Sequence, residues 1–204
     1  MPCINFTTGP WGLLGPNERI CSDQMGNTFT DAVTDSTTAV SFLVVDGKAF
    51  VDTVSGNRML FFSNVDCGNT VHPNVTLVIR FTRPQERVTF QLNFDEHGTA
   101  PAMVNFFTLP NNPSPSNLVG SQSIPWNGNQ FVDVIYDNCC YPIQEITIRT
   151  DRPENSLNNF CWELSHRRFH FLGRLLCLCP IRRCWLAFVT LLGQELSPRR
   201  MGRA

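Results

Sequence analysis

Residues Arg87–Phe94 read Arg-Val-Thr-Phe-Gln-Leu-Asn-Phe. In this stretch the apolar side chains of Val88, Phe90, Leu92 and Phe94 alternate strictly with polar ones. Because successive side chains of a strand point to opposite faces, one face of this strand is expected to be buried and the other wet. Burial of one face only is typical of antiparallel sheets, which pack one side on a core and leave the other in water.

On both sides of this stretch the chain carries further strand-like runs, separated by loops rich in Asn, Asp, Gly and Pro. The runs recur about every 8–12 residues, and no helix-period segment occurs before residue 160. This pattern predicts an all-β fold, an antiparallel β-sandwich of jelly-roll-like topology. The predicted strands are Val40–Val45, Lys48–Val54, Arg58–Ser63, Val75–Thr82, Arg87–Phe94, Ala102–Leu109, Leu118–Ile124, Gln130–Tyr136, Ile143–Arg149 and Asn159–Leu164.

Two local features carry more specific predictions. Asp46-Gly47 separates the runs Val40–Val45 and Lys48–Val54. Asp-Gly tolerates the positive φ angles of a type I′ turn, so a tight hairpin is predicted there. Residues 3–35 are punctuated by Gly-Pro and Gly-Asn pairs, and we predict that they are loop-like.

The composition of the chain changes near residue 160. Residues 1–160 contain 28 Asn and Asp, whereas the Arg-, Leu- and Cys-rich remainder contains none. We predict a β-sandwich domain over residues 1–164 and a basic tail over residues 165–204 that is helical or disordered. Neither apolar block of the tail reaches the roughly 20 residues needed to cross a bilayer, so no transmembrane span is predicted.

Charge is distributed unevenly along the chain, although the formal net charge is only −1. Residues 1–160 carry fifteen acidic and eight basic side chains, and residues 161–204 carry two acidic and eight basic ones. An acidic body lacks the clustered Lys and Arg that phosphate contacts require, so nucleic acid is not an expected partner. For the basic tail, contact with anionic lipid or RNA and an unstructured, aberrant segment are the alternatives. The sequence does not indicate an oligomeric state.

The cysteines and the N-terminus bear on the compartment. The even number of cysteines in the β region suits disulfides in an oxidising compartment, and buried reduced thiols are the alternative. The first residues lack the basic and apolar segments of a secretory leader. The Asn-rich, Lys-poor body nevertheless indicates an extracellular or cell-envelope protein, and we expect a leader upstream. The cysteines of the β region are Cys3, Cys21, Cys67, Cys139, Cys140 and Cys161.

A set of short motifs between Val75 and Glu163 is shared with one class of exported domain. The motifs are Leu77-Val-Ile-Arg-Phe-Thr-Arg-Pro84, Val88-Thr-Phe-Gln-Leu92, Val119-Gly-Ser-Gln-Ser-Ile124, Gly128-Asn-Gln-Phe-Val132, Ile143-Gln-Glu-Ile-Thr-Ile148 and Asn159-Phe160. This region resembles the β-sandwich ectodomain of bacterial PEP-CTERM sorting-domain exported proteins, found in bacteria that make extracellular polysaccharide. The resemblance implies a non-enzymatic β-sandwich with a structural or adhesive role near such a matrix.

The chain departs from that class after Phe160. The resemblance implies a last strand with paired acidic or amide residues, then Pro-Glu-Pro, an apolar span and an Arg cluster. Here Cys161-Trp-Glu-Leu164 follows, and no Pro-Glu-Pro occurs, although Leu-rich blocks do end in Arg. We therefore expect an aberrant C-terminal tail and hypothesise a shift of reading frame near residue 161.

Few residues are arranged for chemistry, and we predict no catalytic site and no enzymatic activity. Asp95-Glu96-His97 follows a strand, where an acid–base pair could act, but charged residues are common in such turns. A structural calcium ion is the best cofactor candidate, because loop Asp and Asn side chains supply the oxygen ligands that calcium prefers. The candidate calcium ligands are Asp95, Asp137, Asn138 and Asp151.

Aromatic residues near turns are the remaining functional candidates. Trp126, Tyr141 and Trp11 lie in or beside predicted turns, where exposed rings stack on sugars and buried rings close the ends of a core. We predict a structural or adhesive exported protein that acts in a polysaccharide context. The alternative is a carbohydrate-binding module of a glycan-active system, and both alternatives have polysaccharide as the candidate partner.

Overall fold

The computed structural model describes residues 3–4, 6, 19–21, 29–31, 40–54, 57–94, 100–111, 113–126 and 128–164. These residues form twelve strands and one 3-10 turn, Pro115–Asn117, and contain no α-helix. All the strand ladders are antiparallel. The strands are β1 Cys3–Ile4, β2 Arg19–Cys21, β3 Phe29–Asp31, β4 Val40–Val45, β5 Lys48–Val54, β6 Asn57–Ser63, β7 Val75–Phe94, β8 Ala102–Phe107, β9 Leu118–Ile124, β10 Val132–Asp137, β11 Ile143–Thr150 and β12 Asn155–Leu164.

The 20-residue strand β7 belongs to both layers of the fold. Its first part, Val75–Phe81, is paired between β4 and β11, and its second part, Arg87–Phe94, is paired between β12 and β10. Layer 1 has the strand order β3-β4-β7-β11-β8-β9, and layer 2 has the order β2-β5-β6-β12-β7-β10. Strand β1 pairs with the far end of β12. One continuous antiparallel sheet therefore folds onto itself as a sandwich.

The sequence predicted two strands where the structure has β7. The predicted break fell at Pro84, which lies within β7 in an exposed stretch. Ile143 of β11 pairs with Gln85, whereas Glu145 pairs with Arg80, so several β7 residues bulge out of the ladder between them. A proline has no N–H to donate, and a bulge is a place where a strand tolerates one. The sequence therefore predicted a loop at Pro84 wrongly, because the bulge lets the strand continue through the proline.

Apolar side chains from both layers form one core between them. Phe42 of β4 contacts Phe160 of β12 edge to face, with ring centroids 5.6 Å apart. At the other end Phe106 of β8 lies 4.8 Å from Tyr136 of β10. Every second residue of β4 is buried, as the alternation predicted. Each fully buried Phe stabilises the fold by about 1.5–3 kcal/mol, so the predicted all-β sandwich is confirmed with a substantial core.

The hairpin predicted at Asp46-Gly47 is not formed. Strand β4 pairs with β3 and β7 in layer 1, and β5 pairs with β2 and β6 in layer 2. The turn therefore carries the chain from one layer to the other. Asp46 has a φ of 57°, but Gly47 is not in the left-handed region that a type I′ turn demands at both positions.

The N-terminal region is not wholly loop-like. Three short strands, β1 to β3, lie within residues 3–35, where the sequence predicted loops. Such strands are too short to show alternation, and their pairing with β12, β5 and β4 orders them. Cys3 of β1 forms a disulfide with Cys161 of β12. Cys67 and Cys139 are also disulfide-bonded.

The last strand begins earlier than predicted and ends at Leu164, as predicted. Trp162 is 1% exposed and packs against Phe81 and Phe160. Cys161 and Trp162 thus belong to the sandwich, and they give no support to a change of reading frame at residue 161. The predicted tail, residues 165–204, lies outside the described residues, as do Trp11 and Asp95-Glu96-His97. Within the described part, no helix is long and apolar enough to cross a membrane.

Candidate polysaccharide-binding face

Strand β10 lies at an edge of layer 2 and presents alternate residues to solvent. Val134 and Tyr136 are buried in the core, whereas Asp133, Ile135 and Asp137 are exposed on the outer face. The strand pairs with β7 only, among the described residues, so its other edge carries no backbone ladder. The exposed face of β10 is thus held in place by the core on its opposite side.

A row of three hydrogen-bonded polar side chains crosses the outer face of layer 2. Gln91 Nε2 of β7 donates to Asp133 Oδ1 of β10 at 3.0 Å. Asn159 Nδ2 of β12 donates to Gln91 Oε1 at 2.7 Å. We call Asp133, Gln91 and Asn159 the polar row. Three strands supply it, so its spacing is set by the sheet, and solvent reaches it.

A local irregularity of β12 aims Asn159 into the polar row. The pairing of β12 with β7 shifts register between Asn158 and Cys161, and Asn159 has a φ of 49°. Asn tolerates this left-handed conformation better than most residues. Its backbone N–H donates to Asn158 Oδ1 at 2.8 Å, which supports the bulge. The bulge therefore turns Asn159 towards Gln91, a common use of bulges at functional surfaces.

Two exposed apolar side chains, Phe131 and Ile135, lie two residues to either side of Asp133 along the chain. Trp126 and Phe131, in the connection between β9 and β10, are 37% and 38% exposed. Ile135, two residues beyond Asp133 on the same face, is 51% exposed. The aromatic rings are anchored on one side and open on the other, which suits contact with the flat apolar face of a ligand.

Tyr141 is exposed but lies at the other end of β10. It belongs to the connection between β10 and β11, six strand residues away from Phe131. Asn138 Oδ1 accepts hydrogen bonds from the backbone N–H groups of Cys140 and Tyr141, and the Tyr136 hydroxyl donates to the Tyr141 carbonyl. The structure therefore does not combine Tyr141 with Trp126 in one face, and the third predicted residue, Trp11, is outside the described residues.

The predicted calcium ligands are not brought together either. Asp137 and Asn138 precede β11 and Asp151 follows it, so this eight-residue strand, about 26 Å long, separates them. Asn138 Oδ1 is used by the turn, and Asp137 Oδ2 lies 3.8 Å from Arg87 Nε. Asp95 lies outside the described residues. No group of three or more His, Cys, Asp or Glu in the described ranges could hold a metal.

The two charged side chains that are deeply buried among the described residues have structural contacts. Glu145, 1% exposed, accepts hydrogen bonds from Arg80 Nε and from the Asn111 backbone N–H, both at 2.8 Å. It thereby holds the β8–β9 connection onto the outer face of layer 1. The Arg152 guanidinium lies 4.2 Å above the Phe94 ring, and burial lowers its pKa. Glu145 is thus paired, whereas Arg152 Nε and Nη1 have no hydrogen-bond partner in the described part of the chain.

The sequence offered uneven signals for this face. Phe131 and Asp133 are out of phase with the core residues of β10, which is a detectable sign of an exposed aromatic beside a carboxylate. The contact of Gln91 with Asn159 joins residues 68 positions apart and depends on a bulge. No local pattern encodes that contact, so the polar row was missed.

Comparisons with known proteins give structural similarity alone. No protein-family model and no curated protein matches the chain. The K2 cleaved adhesin domain of Lys-gingipain is similar over 80% of this chain and 100% of its own, at 8% identity and a TM-score of 0.44. A family 29 carbohydrate-binding module from Piromyces equi is similar over 71% and 89%, at 8% identity and a TM-score of 0.39.

A third solved structure, a carbohydrate-binding module described for specific mannan recognition, covers 79% of this chain and 95% of its own. Its identity is 11% and its TM-score is 0.36. Similarities of this size are too low to transfer a ligand, a site or an activity to this chain.

Proposed function

We propose that this chain is a non-enzymatic exported or cell-surface domain that binds polysaccharide and has a structural or adhesive role. The polar row, with the exposed ring of Phe131 two residues from Asp133 along the chain, is the observation that carries the proposal. Sugars combine apolar C–H faces with hydroxyl groups that both donate and accept hydrogen bonds. The face around Asp133 offers a matching combination of rings, carboxylate and amides on rigid strands.

The affinity of such a face depends on how little it must reorganise. Gln91 and Asn159 are already oriented by hydrogen bonds to each other and to the neighbouring strands. A ligand therefore does not have to order these side chains, which saves roughly 0.5–1.5 kcal/mol for each one. Charged and amide groups on a rigid sheet are a favourable basis for recognising a repeating chain of hydroxyl groups.

Export is part of the proposal. Disulfides form and persist in oxidising compartments, and Cys3, Cys67, Cys139 and Cys161 are disulfide-bonded. The resemblance to PEP-CTERM exported proteins supports the same location. The genomic DNA around the coding region tests that membership: a secretory leader upstream and an alternative frame encoding Pro-Glu-Pro after codon 160 would support it, and their joint absence would refute it.

The alternative is a carbohydrate-binding module of a glycan-active system. It makes the same binding prediction, and the two differ in what the domain is attached to. A catalytic glycan-active domain in the same polypeptide or complex would favour the module. Envelope localisation of the exported protein without such a domain would favour the structural role.

Polysaccharide retention by variants of the face tests the proposal. Insoluble and immobilised polysaccharides should retain the full chain, and Asp133→Ala and Trp126→Ala should each weaken binding. Loss of a hydrogen bond to a charged group costs about 1.5–3 kcal/mol, so Kd should rise about tenfold or more for Asp133→Ala. Asp137→Ala is the matched control, because Asp137 is an exposed outward carboxylate on the same strand.

The control variant should bind as the unmodified chain does. Retention on no polysaccharide, or equal binding by the Asp133 and Asp137 variants, would remove the polar row from the proposal.

A further inference from the structure

A groove lies on a different part of layer 2, beyond β6 from the polar row. It has a volume of about 290 Å³ and is bounded by the ends of β5 and β6 and by the β11–β12 connection. That volume is at the lower end of the range for small-molecule sites, so it suits a single ring. Its main lining residues are Lys48, Phe50, Phe61, Ser63, Glu154 and Asn155.

Two stacked phenylalanine rings form the floor of the groove. Phe50 and Phe61 are directly opposite each other in the β5–β6 ladder. Their neighbours Ala49 and Leu60 point into the core, so both rings point away from it. The ring centroids are 5.5 Å apart and the ring planes differ by 13°. Rings stacked in this way face each other, so the pair presents ring edges as a stepped apolar surface at the groove.

A buried hydrogen-bond acceptor lines the groove. Asn155 is 1% exposed, and its Nδ2 donates to the backbone carbonyls of Phe62 and Arg152, both at 3.0 Å. Its Oδ1 has no hydrogen-bond partner in the described part of the chain. A buried acceptor without a donor is costly, and such groups in native proteins call for an explanation. This oxygen has almost no accessible surface, so a ligand in the groove meets the polar groups of the rim instead.

The rim of the groove carries one positive and one negative side chain. Lys48 and Glu154 form no ion pair within the residues that the structure describes. Ser63 Oγ accepts from the Val65 backbone N–H at 3.1 Å, which leaves its hydroxyl proton to donate. Together these groups offer donors and acceptors around an apolar floor, and their charges cancel. The groove thus complements an uncharged ring that bears hydroxyl groups.

We propose that this groove is a second binding site, specific for one sugar ring of a neutral saccharide. The apolar C–H face of the ring contacts the edges of Phe50 and Phe61. Its hydroxyl groups bond to Lys48, Ser63 and Glu154. This inference rests on the proposed saccharide-binding function, but its residues are separate from the polar row, so the two can fail independently.

The reactivity of Lys48 provides a direct readout, because Lys48 is the only lysine in the chain. The full chain is acylated with an amine-reactive ester in the presence of cellohexaose, mannohexaose or xylohexaose, and peptide mass spectrometry measures modification at Lys48. At saturation we expect at least one neutral hexasaccharide to slow this acylation severalfold. Phe61→Ala should abolish the protection, and Leu109→Ala, in the β8–β9 connection of layer 1, should preserve it.

A second variant, Glu154→Gln, tests the groove without removing a packed side chain as Phe61→Ala does. Glu154 is exposed, so Glu154→Gln preserves shape and should leave the unfolding midpoint unchanged. It should raise the saccharide Kd about tenfold by removing a charged acceptor. Protection that survives in both groove variants would overturn the proposal.

The remaining outcomes are also decisive. Retention on polysaccharide without any protection of Lys48 would refute the groove site and leave the proposed function standing. Protection by an acidic hexasaccharide alone would refute the neutral ligand. Protection of Lys48 with no contribution from Asp133 would support the groove and refute the polar row.

Discussion

Tyr136 shows how one residue joins the core to an exposed connection. Its ring packs on Phe106 in the core, and its hydroxyl donates to the carbonyl of Tyr141 in the exposed β10–β11 connection. Burial raises the pKa of Tyr136 from 10.0 to about 12, with a smaller contribution from the charge of Cys140. The neutral phenol is therefore favoured in the folded state.

This shift predicts a loss of stability at alkaline pH. Below pH 10 both states keep the phenol proton, and the contribution of Tyr136 is fully present. Between pH 10 and about 12 only the unfolded state releases the proton, so the free energy of unfolding falls as pH rises, by roughly 2–3 kcal/mol in total. Tyr136→Phe should flatten this decline, at a cost of about 1 kcal/mol near neutral pH for the lost hydrogen bond.

Urea unfolding of both proteins across this pH range measures the effect. Absorbance titration offers a direct check, because the chain has only two tyrosines, Tyr136 and Tyr141. In a Tyr141→Phe control the remaining phenol should ionise near pH 12. Ionisation of that phenol near pH 10 would contradict the prediction.

At the level of strands and turns, Gly47 shows why a glycine can be required for space rather than for φ. A Cβ at this position would overlap the backbone carbonyl oxygen of Ser63 and approach Val75 Cγ2 to 2.8 Å. The turn between β4 and β5 passes this close to the end of β6 because it changes layers. Only a residue without a side chain fits there.

We expect Gly47→Ala to destabilise the fold by about 1–3 kcal/mol or more, because a rigid backbone atom, not a flexible side chain, must move. Gly128→Ala is the informative control. Gly128 has a φ of +61° and open space around its Cβ position, so the alanine there meets conformational strain alone, about 1–2 kcal/mol. Urea midpoints measure both, and a Gly47→Ala midpoint equal to that of the unmodified chain would contradict the close approach.

Strand β7 shows how one strand can belong to both layers of the sandwich. Its halves have different partners, and the bulge opposite Ile143 and Glu145 lies between them. Alternation in the sequence located both halves, because it reflects which side chains face the core. The continuity across Pro84 was not predictable from alternation, because Thr82, Arg83 and Pro84 are exposed in succession and break the periodic pattern.

At the scale of the whole molecule, the Cys3–Cys161 disulfide links strands that are 158 residues apart. It fastens β1, one of the shortest strands, to β12 at the centre of layer 2. A crosslink over so long a loop restricts the unfolded chain strongly, so it stabilises the folded state.

Cys3→Ser combined with Cys161→Ser should lower the free energy of unfolding by about 2–5 kcal/mol. The double variant avoids an unpaired thiol and leaves Cys67 and Cys139 bonded. Urea unfolding without reductant measures the loss, and the unmodified chain under reducing conditions should be destabilised further. A double variant as stable as the unmodified chain would show that β1 docks equally well without the crosslink.

The strands and the fold class followed from the chain alone, because alternation of apolar and polar residues is a relation between near neighbours. Strands β4, β5 and β9 have the predicted ends for this reason. Alternation does not apply to Trp126, which lies between β9 and β10, so the sequence left open whether its ring is exposed or closes the core. The three short N-terminal strands were not, because they depend on partners elsewhere in the chain.

The assignment of strands to layers and the composition of the surfaces depended on long-range contacts. The Asp-Gly turn joins two layers and not a hairpin, Asn159 reaches Gln91 through a bulge, and Phe50 meets Phe61 beside a connection that follows residue 150. Such contacts form when the sheet folds onto itself, because burial of its apolar side determines which outward side chains become neighbours.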